Sequence, residues 1–172
     1  MGDFVQKDQV MIILGIDPGL SGGVAVLNDH AQLIEAIPMP VRAKTDTKME
    51  MDGAALTKFI ERHGTVIFML VLERQRPMLA FRQSAQTGFS LGRSQGLVEG
   101  IVAALRIPLT LAEPQVWKKY YGLKGGKENK QLSRANAAAL YPTAPLDRKK
   151  DEGVAEAILI ARWYVMKELI RT

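Results

Sequence analysis

The 172-residue sequence predicts a single α/β domain with one mixed five-stranded sheet flanked by helices. Three short apolar runs crowd between residues 10 and 37, and two more follow at 66–72 and 107–112. Helical periodicity fills the intervals between the later runs and most of the C-terminal part. Hydrophobic residues make up 47% and charged residues 24%, enough apolar surface to build a core.

A polar leader, residues 1–9, precedes the domain and lacks the basic and then apolar start of a signal peptide. Val10–Ile16 reads as a first strand, stopped by Pro18-Gly19. Val24–Leu27 resumes after Gly22-Gly23, and Gln32–Ile37 follows the turn signal Asn28-Asp29. Strands joined this closely are expected to be antiparallel neighbours. Residues 41–50 are polar and read as a loop. Asp52 is placed to cap a helix over Gly53–His63, with Leu56, Phe59 and Ile60 on one face. The unbroken apolar run Val66–Leu72 reads as a central strand covered on both faces.

Glycines 88, 92, 96 and 100 line one face of a helix expected at least over Ser90–Leu105. Ile107–Ala112 is a short fifth strand, and Pro114 opens a helix that runs through Trp117 to about Tyr120. A basic loop, Gly122–Lys130, leads to a helix at 132–140, and a last helix spans roughly Lys150 or Asp151 to Ile170. No internal repeat, domain boundary or bilayer-length apolar run is present.

Composition excludes several chemistries. With no cysteine there is no disulfide, thiolate or zinc–cysteine site, and two histidines are too few for a histidine-built metal centre. Any metal must rely on carboxylates. The net charge is +5, and residues 118–134 hold six basic residues against one acid, a local excess suited to a polyanion.

Five acidic positions stand out. Asp17 ends the run MIILGI just before Pro-Gly-Leu-Ser-Gly-Gly, where a turn acid could cap its own loop or a ligand could approach closely. Glu73 ends VIFMLVLE in the same way, with Arg74 and Arg76 as its alternative partners. Adjacent pairing of the two strands would bring these acids together. Asp151, Glu152 and Glu156 open the last helix. Dipole compensation accounts for Asp151 or Glu152. Glu156 is set in the apolar run GVAEAILIA, and shares a face with Glu152. Oxygen donors such as Asp17, Glu73, Glu152 and Glu156 suit two hard cations about 4 Å apart, the arrangement that hydrolyses phosphodiesters.

The segments GIDPGLSGGVAVL, LVLERQRPM, GRSQGLVEGIVAAL, PQVWKKYYGL and KKDEGVAEAILIARW, in this order, resemble the RuvC-type Holliday junction resolvase family, especially its phage-like and organellar relatives. The resemblance implies a ribonuclease H-like fold and metal-dependent, paired symmetric nicking of four-way DNA junctions by a homodimer. It places Asp17, Glu73 and Glu156 on the family's catalytic acids, with Glu152 as a fourth and Asp151 as its competitor. Mg²⁺, with Mn²⁺ as substitute and two ions per site, is the implied cofactor, with no organic cofactor. Many relatives have an aspartate-rich closing pair where this chain has glutamates, whose extra methylene changes ligand reach. A cytoplasmic location beside nucleoid or phage DNA is expected, with an organellar origin left open.

Phosphate contacts are expected from Arg74, Arg76 and Arg82 after the central strand, and from Lys118, Lys119, Lys124, Lys127, Lys130 and Arg134. Arg74 and Arg76 would otherwise form salt bridges. Met78 or Phe81 could serve as the junction-opening wedge, or join the core. Trp117 is expected to pack its helix. The glycine-lined helix, with Phe89, Leu91 and Leu97, is the candidate dimer seam. Alternatives are a ribonuclease H-like nuclease for other branched or hybrid nucleic acids, and a junction-binding protein without catalysis.

Overall fold

The structure, a computed structural model, describes residues 10–63, 67–76, 84–123 and 128–170, with side chains in the last stretch described from residue 131 onward. Its central sheet has five strands: β1 (Ile12–Asp17), β2 (Gly23–Asn28), β3 (Leu33–Pro38), β6 (Ile67–Glu73) and β7 (Leu109–Ala112). Their order is β3-β2-β1-β6-β7. The first three form an antiparallel meander, while β6 and β7 run parallel to β1. The mixed sheet expected from the sequence is therefore present, with the most apolar strand beside β1.

Residues 41–50 depart from the expected loop. They form most of a separate antiparallel hairpin, β4 (Val41–Thr45) and β5 (Lys48–Met51). Every residue of β4 is exposed, so this strand has no buried face to impose an alternating pattern on its sequence.

Among the described residues, five α-helices accompany the sheet: α1 (Gly53–Arg62), α2 (Ala85–Ala104), α3 (Pro114–Tyr120), α4 (Glu128–Leu140) and α5 (Glu152–Tyr164). Asp52 caps α1 as its sequence suggested, accepting from the Ala55 amide at 3.0 Å. Helix α2, expected at least over Ser90–Leu105, begins at Ala85, where Ser84 caps it by accepting from the Thr87 amide at 3.1 Å. A 3-10 turn at Lys149–Asp151 precedes α5, and a π-helical turn at Val165–Leu169 follows it. Among the described residues, no helix is long and apolar enough to cross a membrane.

The two faces of the sheet carry separate cores. Leu14, Ile16, Leu70 and Leu72 face α1 and α2, meeting Leu56, Ile60, Val98 and Val102. Ile13, Ala25 and Val71 face the other way, onto Trp117, Ala157, Ile158 and Ala161 of α3 and α5. Side chains alternate along a strand, so Asp17 and Glu73 fall on this second face.

Helix α5 lies directly on the strands. A Cβ at Gly15 would stand 2.2 Å from the Ala157 carbonyl oxygen and 2.8 Å from the Ala161 Cβ. At the start of the helix, Gly153 bridges Gly22, and a Cβ at Gly153 would stand 2.1 Å from the Ser21 carbonyl oxygen. No ordinary side chain fits between these backbones. Gly15→Ala is expected to lift α5 and cost about 1–3 kcal/mol in denaturant unfolding. It should also weaken divalent-cation binding measured by calorimetry, because Glu156 travels with the helix.

Candidate active site

Strand pairing places Ile16 opposite Leu72 in the parallel β1/β6 ladder, so Asp17 and Glu73 leave the sheet side by side at its carboxyl edge. Glu156 sits one turn into α5, on the helix that covers the same face. One carboxylate oxygen from each of Asp17, Glu73 and Glu156 lies within 4.8 Å of the others. Three acids distant in sequence therefore converge because two strands are neighbours and one helix packs against them.

Two other expected acids lie elsewhere. Asp151 is buried and bound to Arg148: it accepts from the Arg148 amide at 2.8 Å, from Nε at 3.1 Å and from Nη2 at 2.8 Å. That contact lowers its carboxyl below the usual aspartate range and ties down the turn before α5. Asp151 thus braces the turn before α5 and lies outside the three converging acids. Glu152 is half-buried, one turn before Glu156, and also stands outside the three.

Helix α3 supplies what the sequence reading missed. Trp117 is fully buried, as expected for packing, yet its indole Nε1 donates to Glu73 Oε1 at 3.2 Å. The next residue, Lys118, sets its ammonium 3.5 Å from Glu73 Oε1 and 3.4 Å from Glu156 Oε2, and 4.9 Å from the Trp117 ring centroid. Ser133 of α4, fully buried, donates from Oγ to Glu156 Oε1 at 3.1 Å. Gln75 donates to Glu73 Oε2 at 3.3 Å, and its amide donates to Gln95 of α2 at 2.7 Å. Hydropathy finds Trp117 as a core residue but is blind to a single polar atom aimed at a carboxylate, and it gives no signal for a buried serine such as Ser133. The only sequence clue was a tryptophan next to a lysine at the head of a short helix.

Burial pushes the Glu73 carboxyl above the ordinary glutamate range, opposed by Lys118 and reinforced by Glu156. Burial also works against the charge of Lys118, but Glu73 and Glu156 outweigh it and raise its pKa, with Asp17 adding to the effect. Fully ionised, the three acids and one ammonium carry a formal charge of −2. The donors are all hard oxygens. Both features fit a divalent cation such as Mg²⁺ or Mn²⁺.

Of the remaining expected contacts, Arg74 and Arg76 both grip Glu113, at 3.1 and 2.9 Å. Lys119 is exposed and Arg134 half-exposed. Arg82, Met78, Phe81, Lys124 and Lys127 lie outside the described residues, as does the side chain of Lys130. On α2, a Cβ at Gly88, Gly92, Gly96 or Gly100 would meet nothing within 4 Å, so no contact within the described chain requires those glycines.

A structure of T. thermophilus RuvC in complex with a Holliday junction substrate matches with a TM-score of 0.60 and 13% identity, over 92% of this chain and 97% of that one. The fold is ribonuclease H-like. The Thermus thermophilus RuvC structure matches with a TM-score of 0.53 and 19% identity, over 91% of this chain and 96% of that one. The yeast mitochondrial Holliday junction resolvase Ydc2 gives a TM-score of 0.44 and 13% identity, over 90% and 78% of the two chains. No family model and no curated protein matches the sequence.

Three outcomes follow from this geometry. A raised folded-state pKa means that ionised Glu73 costs stability at neutral pH, a cost absent below the ordinary glutamate range. Glu73→Gln should therefore raise the Tm of the metal-free protein at pH 7, with the gain shrinking as pH falls through that range. Lys118→Met leaves the acids facing one another. It should cost about 2 kcal/mol without metal, and Mg²⁺ should then raise the Tm by more than in the unsubstituted protein. Asp151→Asn should cost about 1–2 kcal/mol in unfolding while leaving calorimetric cation affinity unchanged, whereas Glu156→Gln should lower that affinity by about tenfold or more.

Proposed function

We propose that this chain is a divalent-cation-dependent nuclease for branched DNA, with the four-way junction as its substrate and a homodimer as its working unit. The observation that carries this reading is the convergence of Asp17, Glu73 and Glu156 at the edge of a ribonuclease H-like sheet. The junction substrate held by a RuvC structure of the same fold supports the choice of DNA.

Asp17, Glu73 and Glu156 would hold the cations, with Glu152 as a fourth oxygen donor from one turn earlier on α5. Two Mg²⁺ ions, or Mn²⁺ in their place, supply water activation and charge stabilisation at the scissile phosphate when bound. The protein's own task is to keep the donors in place before substrate arrives. Trp117 restrains Glu73 and Ser133 restrains Glu156, each from a fully buried position. Lys118 neutralises part of the cluster, and its ammonium would also be available to a phosphate bound at these acids. Lys119 and Arg134 would position the DNA backbone. In a dimer, the open glycine-bearing face of α2 lets a second copy approach closely, which relates two sites by a two-fold axis as paired incision requires.

Synthetic junctions with mobile and fixed cores test this reading. With Mg²⁺ or Mn²⁺ the protein should make paired, symmetric nicks, and with chelator it should bind without cutting. Asp17→Asn and Glu73→Gln should retain binding and lose about 100-fold or more of the incision rate. Junction binding without incision under every metal condition would overturn the catalytic assignment. Equal cleavage of linear duplexes would overturn the choice of substrate.

A further inference from the structure

The hairpin β4–β5 and the first half of α2 enclose a groove of about 960 Å³. Four cations line it: Arg42, Lys44 and Lys48 from the hairpin and Arg93 from α2. Among the described residues, the single acid in its lining is Glu50, which holds the two arginines at 3.0 and 2.9 Å. Arg42, first among several cationic neighbours, keeps this carboxyl below the usual glutamate range, so Glu50 orients the guanidiniums without cancelling the excess positive charge. Phe89 of α2, 69% exposed, lines the groove with them.

The groove lies at the same edge of the sheet as the acidic cluster, on the face that α2 covers, whereas the acids stand on the face of α3 and α5. Leu20, three residues after Asp17, belongs to the groove's lining. The meander delivers β3 back to the carboxyl edge of β1, since Pro38 pairs with Gly23 and Gly23 with Asp17. The hairpin begins just after Pro38, and α2 begins beyond the strand that ends at Glu73. Groove and acids thus share one edge of the sheet.

We infer that this groove binds a single strand of nucleic acid, running from the acidic cluster past Leu20 and between the hairpin and α2. Cations in a groove track a phosphodiester backbone, and an exposed aromatic ring beside them stacks on an unpaired base, whose face a duplex would hide. A second copy of the chain, proposed above to approach α2 along its glycines, fits less well inside the groove between α2 and the hairpin: two such grooves brought together about a two-fold axis would face positive charge with positive charge. The inference deepens the nuclease reading and rests on it for the identity of the polymer, naming unpaired strand near the cleavage point as what the hairpin holds.

The test is fluorescence anisotropy of a labelled oligothymidylate and of a fixed-core four-way junction, both in chelator so that nothing is cut. Lys44→Ala/Lys48→Ala should weaken oligothymidylate binding by about tenfold and flatten the slope of log affinity against log salt by about 1.4, the contribution of two charges on a single strand. Phe89→Ala should weaken binding by about fivefold or more without changing that slope. These are surface substitutions, and an unchanged Tm confirms the fold. Wild-type affinity for oligothymidylate in both variants would overturn the inference. So would loss of dimer in sedimentation with binding per protomer intact, which would make the face a contact between copies. If the wild type binds strand through these residues yet never incises a junction, the nuclease reading falls and the groove stands. If incision is normal and the variants bind normally, the reverse holds.

Discussion

The near-contact between α5 and the two strands beneath it is the constraint on which the rest depends. Gly15 lies against Ala157 and Ala161, and Gly22 bridges Gly153, so the helix backbone rests on the sheet with no side chain between them. A helix held at ordinary side-chain distance would carry Glu156 away from Asp17 and Glu73. The small residues of α5, with Ala155, Ala157 and Ala161 all buried, complete that fit. Packing density here decides electrostatics, since the separation of the acids follows from how closely two backbones approach.

That proximity has a cost which the neighbouring helices offset. Three carboxylates at a buried edge repel one another, and desolvation raises the pKa of Glu73. Lys118 compensates part of the charge, while Trp117 and Ser133 satisfy individual oxygens. The balance is incomplete, which leaves a residual negative field aimed at solvent. Asp151 illustrates the contrast: two residues before Gly153, it has a complete partner in Arg148 and so is stable as it stands.

Asp17 and Glu73 were legible in the sequence because each interrupts a clean apolar run at its end, and a parallel pairing of those runs is the ordinary outcome for a central strand. Glu156 was legible as an acid inside an apolar helix face. The partition between Asp151 and the glutamates was not, because both stand near a helix start and only a side-chain contact with Arg148 separates their roles. Nor was the hairpin, whose residues 41–49 are all exposed and give no periodic signal. The donors on α3 and α4 escaped for a related reason: burial was predictable for Trp117, but the direction of its one polar atom depends on tertiary structure.

The hairpin is built as a closed appendage. Its strands pair only with each other among the described strands, and the Asp52 amide donates to the Pro40 carbonyl at 2.9 Å, so the chain leaves and rejoins the domain at nearly the same point. Residues 41–51 could be lengthened, trimmed or exchanged without altering a strand of the main sheet or a residue of the core beyond Met51. Such an excisable module lets selection revise what the protein embraces while the chemistry beneath stays fixed. It also gives engineers a place to graft new recognition, with both ends already joined by a hydrogen bond.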